Sequence, residues 1–425
     1  MNLSRLNHAL FPENFAGRER LRRSWPARLA APLVFLYTRL TMQGRMLLLL
    51  TLVVGAFGLQ VETTQVYLVF SLMAGLCVAV LAFLQPFALP DVSIQVGCPR
   101  RVSLGEAQHF DVVLANHGEQ AHQSLVMVGP FLPSDGRWQG EKPVAPELPP
   151  GGTVSLTCAA RFSRRGEHHL DPFTVAAMLP LGLSCGRPVR GEPVRFLVVP
   201  AIAPIIRLTL PLARRHQPGG VALASKTGES MDLLGIRPYR PGDRIRDLHA
   251  PSWARTGSPM VREYQEEYFS RVGVVVDTDA VHAQPRRLEA ALSLAAGIVA
   301  HLSRGEALID LLVVGDDVHA LTLGRSLGFL DQALDLLACV QPGRAFAAER
   351  LGRLLAPFLG RLSAVVLVGL TWDSERALFL QMVRGQGVAC QALAVAGPHA
   401  GDLPASGDCT SVPVEAIERK EPLCL

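Results

Sequence analysis

Two uncharged apolar runs stand close together near the start of the chain: residues 46–61, MLLLLTLVVGAFGLQV, and 66–84, VYLVFSLMAGLCVAVLAFL, with only ETTQ between them. As helices rising 1.5 Å per residue they reach roughly 24 and 28 Å, which predicts a two-helix transmembrane hairpin. From about residue 90 the period changes to two. VSIQVG, HFDVVLANHG, SLVMVG, TVSLTCAARF, FTVAAML and VRFLVVP are short apolar-alternating runs divided by Gly, Pro and Asn, and they predict an all-β sandwich over 90–205.

Beyond residue 271 the pattern alternates again. Helical periodicity in RRLEAALSLAAGIVAHLSR, LGFLDQALDLLACV, ERLGRLLAPFL and DSERALFLQMVRGQ is interleaved with the strand-like runs VGVVV, ALIDLLVV, SAVVLVGL and VACQALAV. That order predicts an α/β doubly wound domain over 271–425, mostly parallel with one antiparallel edge, whose ligands bind beyond the strand C-termini. GDDVH, residues 315–319, reads as a tight turn between two strands. The expected organisation is multidomain: an Arg-rich segment 1–45, transmembrane helices 46–84, a β-sandwich 90–205, an Arg/Asp segment 206–270 packing on the last domain, and the α/β domain 271–425.

Charge adds a direction to the hairpin. The formal charge is +4, yet residues 1–45 alone hold eight Arg against two Glu, and the loop between the two runs carries only Glu62. A basic flank before the first span predicts both termini on the cytoplasmic side, hence a multi-pass inner-membrane protein with its soluble domains in the cytoplasm. The basic segment is too long for a secretory signal and no small-residue cleavage site follows it. The same residues are not a nucleic-acid footprint, which needs basic side chains clustered on a folded face. Eight cysteines without a CxxC pair or metal-ligand spacing suit reduced thiols in a cytosolic environment.

The segment GIRPYRPGDRIRDLHAPSWARTGSPMVREYQEE, residues 235–267, surrounds a Pro-Gly-Asp turn with Arg237, Arg240, Arg244 and Arg246. Guanidinium forks pair bidentately with carboxylates, so such a cluster either clamps a loop internally or presents a recognition surface. Here the chain resembles the family called domain of unknown function 58. Its hallmark stretch is matched at Tyr239, Arg240, Gly242, Asp243, Arg246, His249, Ala254, Arg255 and Glu263, with Leu248 and Ala250 as departures and Trp253 in place to fill the space of the usual tryptophan. Phe162, Arg165 and Gly166, and then Pro180, Leu181, Gly182 and Leu183, match two further elements. The resemblance implies a membrane-anchored protein whose last domain is von Willebrand factor type A-like. It also implies a MoxR-type AAA+ ATPase as protein partner.

Strand 272–276 ends in Asp277 and Asp279, and three chemistries compete for the pair. A haloacid-dehalogenase-type phosphatase uses such a D-x-D, but it also needs a lysine, and residues 280–315 contain none. A metal-ion-dependent adhesion site, implied by the type A resemblance, sets carboxylates and hydroxyls around a hard divalent ion. Val281 stands where a ligating serine belongs, leaving a variant Mg²⁺ site of Asp277, Asp279, Thr371 and Asp373. The third and favoured reading is a degenerate site whose aspartates cap the next helix and satisfy the turn.

GLSCG at 182–186 fits a nucleophile elbow by pattern, but RPVRGEPVRF follows it where a helix is required. No GxxxxGK[ST] or HExxH occurs, so no catalytic residue is assigned. The resulting expectation is a membrane-anchored, cytoplasm-facing scaffold or adaptor that binds another protein. A divalent-metal-dependent binding module is the alternative, and an Asp-based phosphohydrolase is a distant third.

Overall fold

The computed structural model describes residues 10–58, 64–82, 89–210, 221–227, 233–268, 271–305, 307–314, 318–323, 328–397 and 409–425. The turn expected at Gly315–Asp316–Asp317 lies outside them. The chain divides into two compact units, Met1–Val199 and Pro200–Leu425.

In the first unit, alternating burial produces three sheets. Gln108–Asn116 buries Phe110, Val112 and Leu114 completely, with Asn116 buried on the same face, while the intervening His109, Asp111, Val113 and Ala115 are more exposed, the period of a strand with one face on a core. It lies between Val92–Gly97 and Thr153–Phe162, with Gly136–Gln139 at the edge. A second four-stranded sheet orders Val189–Arg190, Thr174–Ala177, His122–Gly129 and Val144–Leu148, and a third pairs Val194–Val199 with Arg101–Ser103 and Gly166–Leu170. Phe110, Phe162, Phe173 and Phe196 meet in a common core, with ring centroids 5.0 to 6.0 Å apart in the pairs that touch.

The helices preceding these sheets overturn one expectation. Among the described residues, no helix is long and apolar enough to cross a membrane. The transmembrane hairpin is therefore not supported, nor is the multi-pass inner-membrane placement built on it. Helix Met42–Gly58 has Gln43 and Arg45 in its first turn, so within the described residues its apolar part falls well short of a bilayer's ~30 Å core at 1.5 Å per residue. It packs on helix Thr64–Ala82, where Thr51 Oγ1 lies 3.7 Å from Cys77 Sγ. Leu49, Leu50, Leu52, Leu68, Leu72 and Val78 remain exposed on the outer faces of the pair.

Four of the arginines taken as a topology signal are engaged in the fold. Arg18 is buried and joins Arg22 on Asp171 at 2.8 Å each, and Arg39 donates to the Gly186 carbonyl. Arg45 donates to the Leu40 and Tyr37 carbonyls and stacks on the Tyr37 ring. Part of the basic flank is thus engaged in the fold, while Arg20, Arg22, Arg23 and Arg28 stay exposed.

The second unit centres on a six-stranded sheet. Its strands are β1 (Arg271–Asp277), β2 (Leu308–Val314), β3 (Val318–Leu323), β4 (Ala364–Gly369), β5 (Ala389–Ala396) and β6 (Cys409–Pro413). They lie in the order β3-β2-β1-β4-β5-β6, parallel except for β3, which runs antiparallel to β2. Among the described residues, five helices accompany them: α1 (Pro285–Leu302), α2 (Gly328–Cys339), α3 (Ala348–Leu359), α4 (Ser374–Gly385) and α5 (Val414–Glu418). The buried, nearly uninterrupted β-branched run of β1 is what a central parallel strand covered on both faces requires. α1 approaches so closely that a Cβ on Gly297 would stand 2.4 Å from the Ala203 carbonyl oxygen, so only glycine fits there.

The direction of winding reverses between β1 and β4. In an open α/β sheet that reversal opens a crevice at the strand C-termini. Asp277 ends β1, and the loop Leu370–Asp373 follows β4.

Candidate functional site

Asp277, Asp279 and Asp373 do come together at this crevice, but around a residue absent from the expected set. Arg376, in the first turn of α4, reaches all three. Its Nε and Nη2 donate to Asp277 Oδ2 at 2.9 and 2.6 Å, Nη2 also donates to Asp279 Oδ2 at 3.0 Å, and Nη1 donates to Asp373 Oδ2 at 2.5 Å. Asp277 is 1% exposed, Asp279 4% and Arg376 1%. The guanidinium carbon sits 4.5 Å from the centroid of the Phe346 ring, so an aromatic face supports the cation as well.

Backbone amides complete the acids. Asp277 Oδ1 accepts the Asp279 N–H at 2.9 Å and Oδ2 accepts the Leu370 N–H at 3.2 Å. Asp279 Oδ1 accepts from Val281 N–H, while its Oδ2 lies 2.9 Å from His282 Nδ1. These are the turn bonds that short acidic side chains make naturally, so the turn-satisfying role expected of the two aspartates is present. The helix cap is not, because α1 starts after Gln284 without a side-chain cap. Asp373 is the residue that caps a helix, accepting the Arg376 N–H at 3.0 Å at the start of α4. Thr371 is half-buried on the same loop, and its hydroxyl takes no part in these hydrogen bonds among the described residues.

The electrostatics follow from the burial. Desolvation drives the Asp277 carboxyl upward against the pull of Arg376 and the two amides. Burial also opposes ionisation of Asp279, but the His282, Val281 and Arg376 hydrogen bonds outweigh it and hold its carboxyl below the ordinary value. For Arg376, burial disfavours the charge, and the Asp277, Asp279 and Asp373 carboxylates more than restore it. The result is a knot of one cation and three acids, dry around Asp277, Asp279 and Arg376 and open to solvent at Asp373.

The type A resemblance implies a divalent ion here, and the residues present do not fit one. A magnesium ion demands oxygens at about 2.0–2.1 Å in octahedral array, whereas the point shared by the three carboxylates is filled by guanidinium nitrogens. Among the described residues, no group of three or more His, Cys, Asp or Glu side chains is arranged to hold a metal ion.

Sequence reasoning missed Arg376, although a signal for it existed. The buried residues of α4 are Arg376, Phe379, Leu380 and Val383, an i, i+3, i+4, i+7 stripe in which an arginine takes an apolar position. An arginine in a first helical turn also opposes the macrodipole. Only a buried acidic partner makes such a placement stable.

The second predicted cluster forms a separate feature. Strand Leu233–Pro238 pairs antiparallel with Met260–Tyr268, and helix Ala250–Thr256 lies in the connection between them. Arg237 holds Asp243 with a two-pronged contact, Nη1 to Oδ2 at 2.7 Å and Nη2 to Oδ1 at 2.8 Å, and its Nε lies 3.5 Å from Glu263. Asp243 also accepts the Arg240 N–H at 2.7 Å across the turn, where Gly242 takes φ +106°. His249 caps the short helix, its Nδ1 accepting from Ser252 N–H. The conspicuous arginine-aspartate pair is therefore a clamp on the segment's own turn. It leaves Ile245 77% exposed, with Trp253, Tyr239, Arg240, Arg244, Arg246 and Arg255 exposed on the same segment.

Ser184, the apparent elbow serine, is fully buried next to a turn in which Leu181 and Gly182 have positive φ.

The second unit thus defines an α/β domain with an arginine-filled acidic corner at its switch point, preceded by a clamped basic hairpin. Residues 235–419 match the family described as "Protein of unknown function DUF58", in agreement with the hallmark residues read from the sequence. No curated protein matches the chain. Among solved structures, native alpha-2-macroglobulin from Escherichia coli, from domain MG7 to the C-terminus, is 19% identical with a TM-score of 0.21, over 27% of this chain and 17% of that one. The CARDB domain of the PF1109 protein from Pyrococcus furiosus, in complex with di-metal ions, is 16% identical with a TM-score of 0.18, over 27% of this chain and 91% of that one. Likenesses this partial say nothing of what the chain does.

Proposed function

We propose that the chain is a protein-binding scaffold or adaptor, that its C-terminal domain is von Willebrand factor type A-like, and that a partner docks on the 235–267 segment. The observation that carries this reading is the exposure of Ile245 and Trp253 among Arg240, Arg244, Arg246 and Arg255 on a hairpin stiffened by the Arg237–Asp243 clamp. Aromatic and arginine side chains on rigid backbone are the usual anchors of interfaces. Their positive charge favours an acidic partner surface. The family resemblance nominates a MoxR-type AAA+ ATPase as that partner.

The corner at Asp277 supports a binding role over the phosphohydrolase alternative. A nucleophilic carboxylate needs a lone pair directed at phosphorus. Asp277 is buried, and both its oxygens accept N–H donors. The metal-dependent alternative is disfavoured by the guanidinium that occupies the ion's position.

The test is binding of purified MoxR-type ATPase to the purified chain with ATP and Mg²⁺. An Ile245→Asp, Trp253→Ala double variant is expected to weaken it by at least tenfold, and raising salt from 50 to 300 mM should weaken the wild-type complex. Absence of any complex, or a complex indifferent to these changes, refutes this docking assignment.

A further inference from the structure

We propose that Arg376 is a built-in replacement for a divalent cation, so that the corner has its counter-charge without metal and a divalent-ion site lies latent in the chain beneath one side chain. This inference rests on the geometry of the corner alone. It stands or falls separately from the docking surface on the 235–267 segment.

Three observations converge. First, the guanidinium contacts carboxylates from two different loops, Asp277 and Asp279 after β1 and Asp373 after β4. These are the acids that an ion at the switch point would draw together. Second, its slot is built for an organic cation. Phe346 presents its ring face to the guanidinium, and the neighbouring Glu375 is turned away to accept the Ala348 N–H at 2.9 Å. Third, the charge is already partly neutralised at the point of convergence. An ion entering beside Arg376 would set two cations within a few ångströms in a water-poor site, where repulsion is strong.

Removing the side chain reverses each of these conditions. A shortened residue leaves three carboxylates facing a small cavity at the place vacated by the guanidinium. Hard oxygen donors of that kind take Mg²⁺ or Mn²⁺, with water completing the coordination. The same cavity accepts free guanidinium ion.

The experiment uses the purified full chain and Mn²⁺, with free Mn²⁺ followed by electron paramagnetic resonance and stability by thermal unfolding. Wild type is expected to show no saturable Mn²⁺ binding and a Tm unmoved by EDTA. Arg376→Ala should bind one equivalent, lose it in the Arg376→Ala, Asp277→Asn double variant, and gain about 5–10 °C in Tm at 100-fold excess over Kd. Should Arg376→Ala be unfolded in metal-free buffer, recovery of the folded state in Mn²⁺ or in a few millimolar guanidinium is the equivalent result. Arg376→Lys, which keeps a cation, should fold and bind no Mn²⁺. Saturable Mn²⁺ binding by wild type that Asp277→Asn abolishes overturns the proposal. So does a folded Arg376→Ala that binds none, or an unfolded one that no cation rescues.

Discussion

Replacing Arg376 with methionine keeps an unbranched stem as far as the position of Nε and deletes the guanidinium charge, and the structure sets the size of the effect. Three carboxylates lose their shared donor, and two of them, Asp277 and Asp279, are 4% exposed or less. Breaking a buried ion pair from one side costs about 3–5 kcal/mol because the remaining charge is stranded. For a unit of this size that is a fall in Tm of roughly 6–20 °C. Asp373→Asn should cost far less, since its side chain is 37% exposed and water replaces the lost partner. Urea unfolding of both variants measures the ranking.

The pH dependence provides a second reading of the same change. In Arg376→Met only the Asp279 and Leu370 amides still oppose the burial of Asp277, so its folded pKa rises further above the unfolded value of about 3.9. A carboxyl raised in the folded state contributes stability that is complete below the unfolded pKa and is lost as pH rises through the folded one. The variant's deficit against wild type should therefore be smallest near pH 4 and grow toward neutrality. A deficit below about 1 kcal/mol, or one that shrinks as pH rises, refutes the assignment of Arg376 as the counter-charge.

Two further outcomes are expected. The hydrogen bond from Arg237, aided by the Arg240 amide, holds Asp243 down to about 2; the clamp's contribution should thus be present above about pH 4 and fade as pH falls through 2, and Arg237→Gln should return the carboxyl midpoint seen by ¹³C NMR toward ~4. Burial pushes the Cys158 and Cys390 thiols up to about 11, so at pH 8 iodoacetamide should alkylate exposed Cys424 and spare both until urea is added, which peptide mass spectrometry reads directly.

Much of the second unit was legible because its signals are local. The run RVGVVVD is buried along nearly its whole length and reads as a central strand from composition alone. Residues Leu351, Leu355 and Leu359 mark the inner face of α3 at helical spacing. Asp277 and Asp279 stood out because strand ends are where such sheets place polar chemistry, and Asp373 entered through the metal site that the type A resemblance implies. The partner of those acids was not found, since Arg376 lies 99 residues from Asp277 along the chain and a motif search asks for metal ligands, not for a cation supplied by the protein. The first apolar runs misled for a different reason. The run at 46–61 was counted from its apolar letters alone, whereas the helix that carries it takes in Gln43 and Arg45, and among the described residues no helix is long and apolar enough to cross a membrane.

An arginine can replace a metal ion's charge, but it cannot replace the ion's open coordination position. A divalent ion holding three acids still has sites to offer an incoming carboxylate, which is how an ion-dependent surface captures its partner. Arg376 is 1% exposed and directs its donors inward to Asp277, Asp279 and Asp373. A corner closed in this way contributes rigidity to the loops after β1 and β4 and presents no electrophile. On the proposed scaffold role, recognition rests on side chains that reach solvent, and the hairpin carrying Ile245, Trp253 and its exposed arginines offers them. The two features thus support one reading, in which the α/β domain holds its loops with an internal cation and the basic hairpin meets the partner.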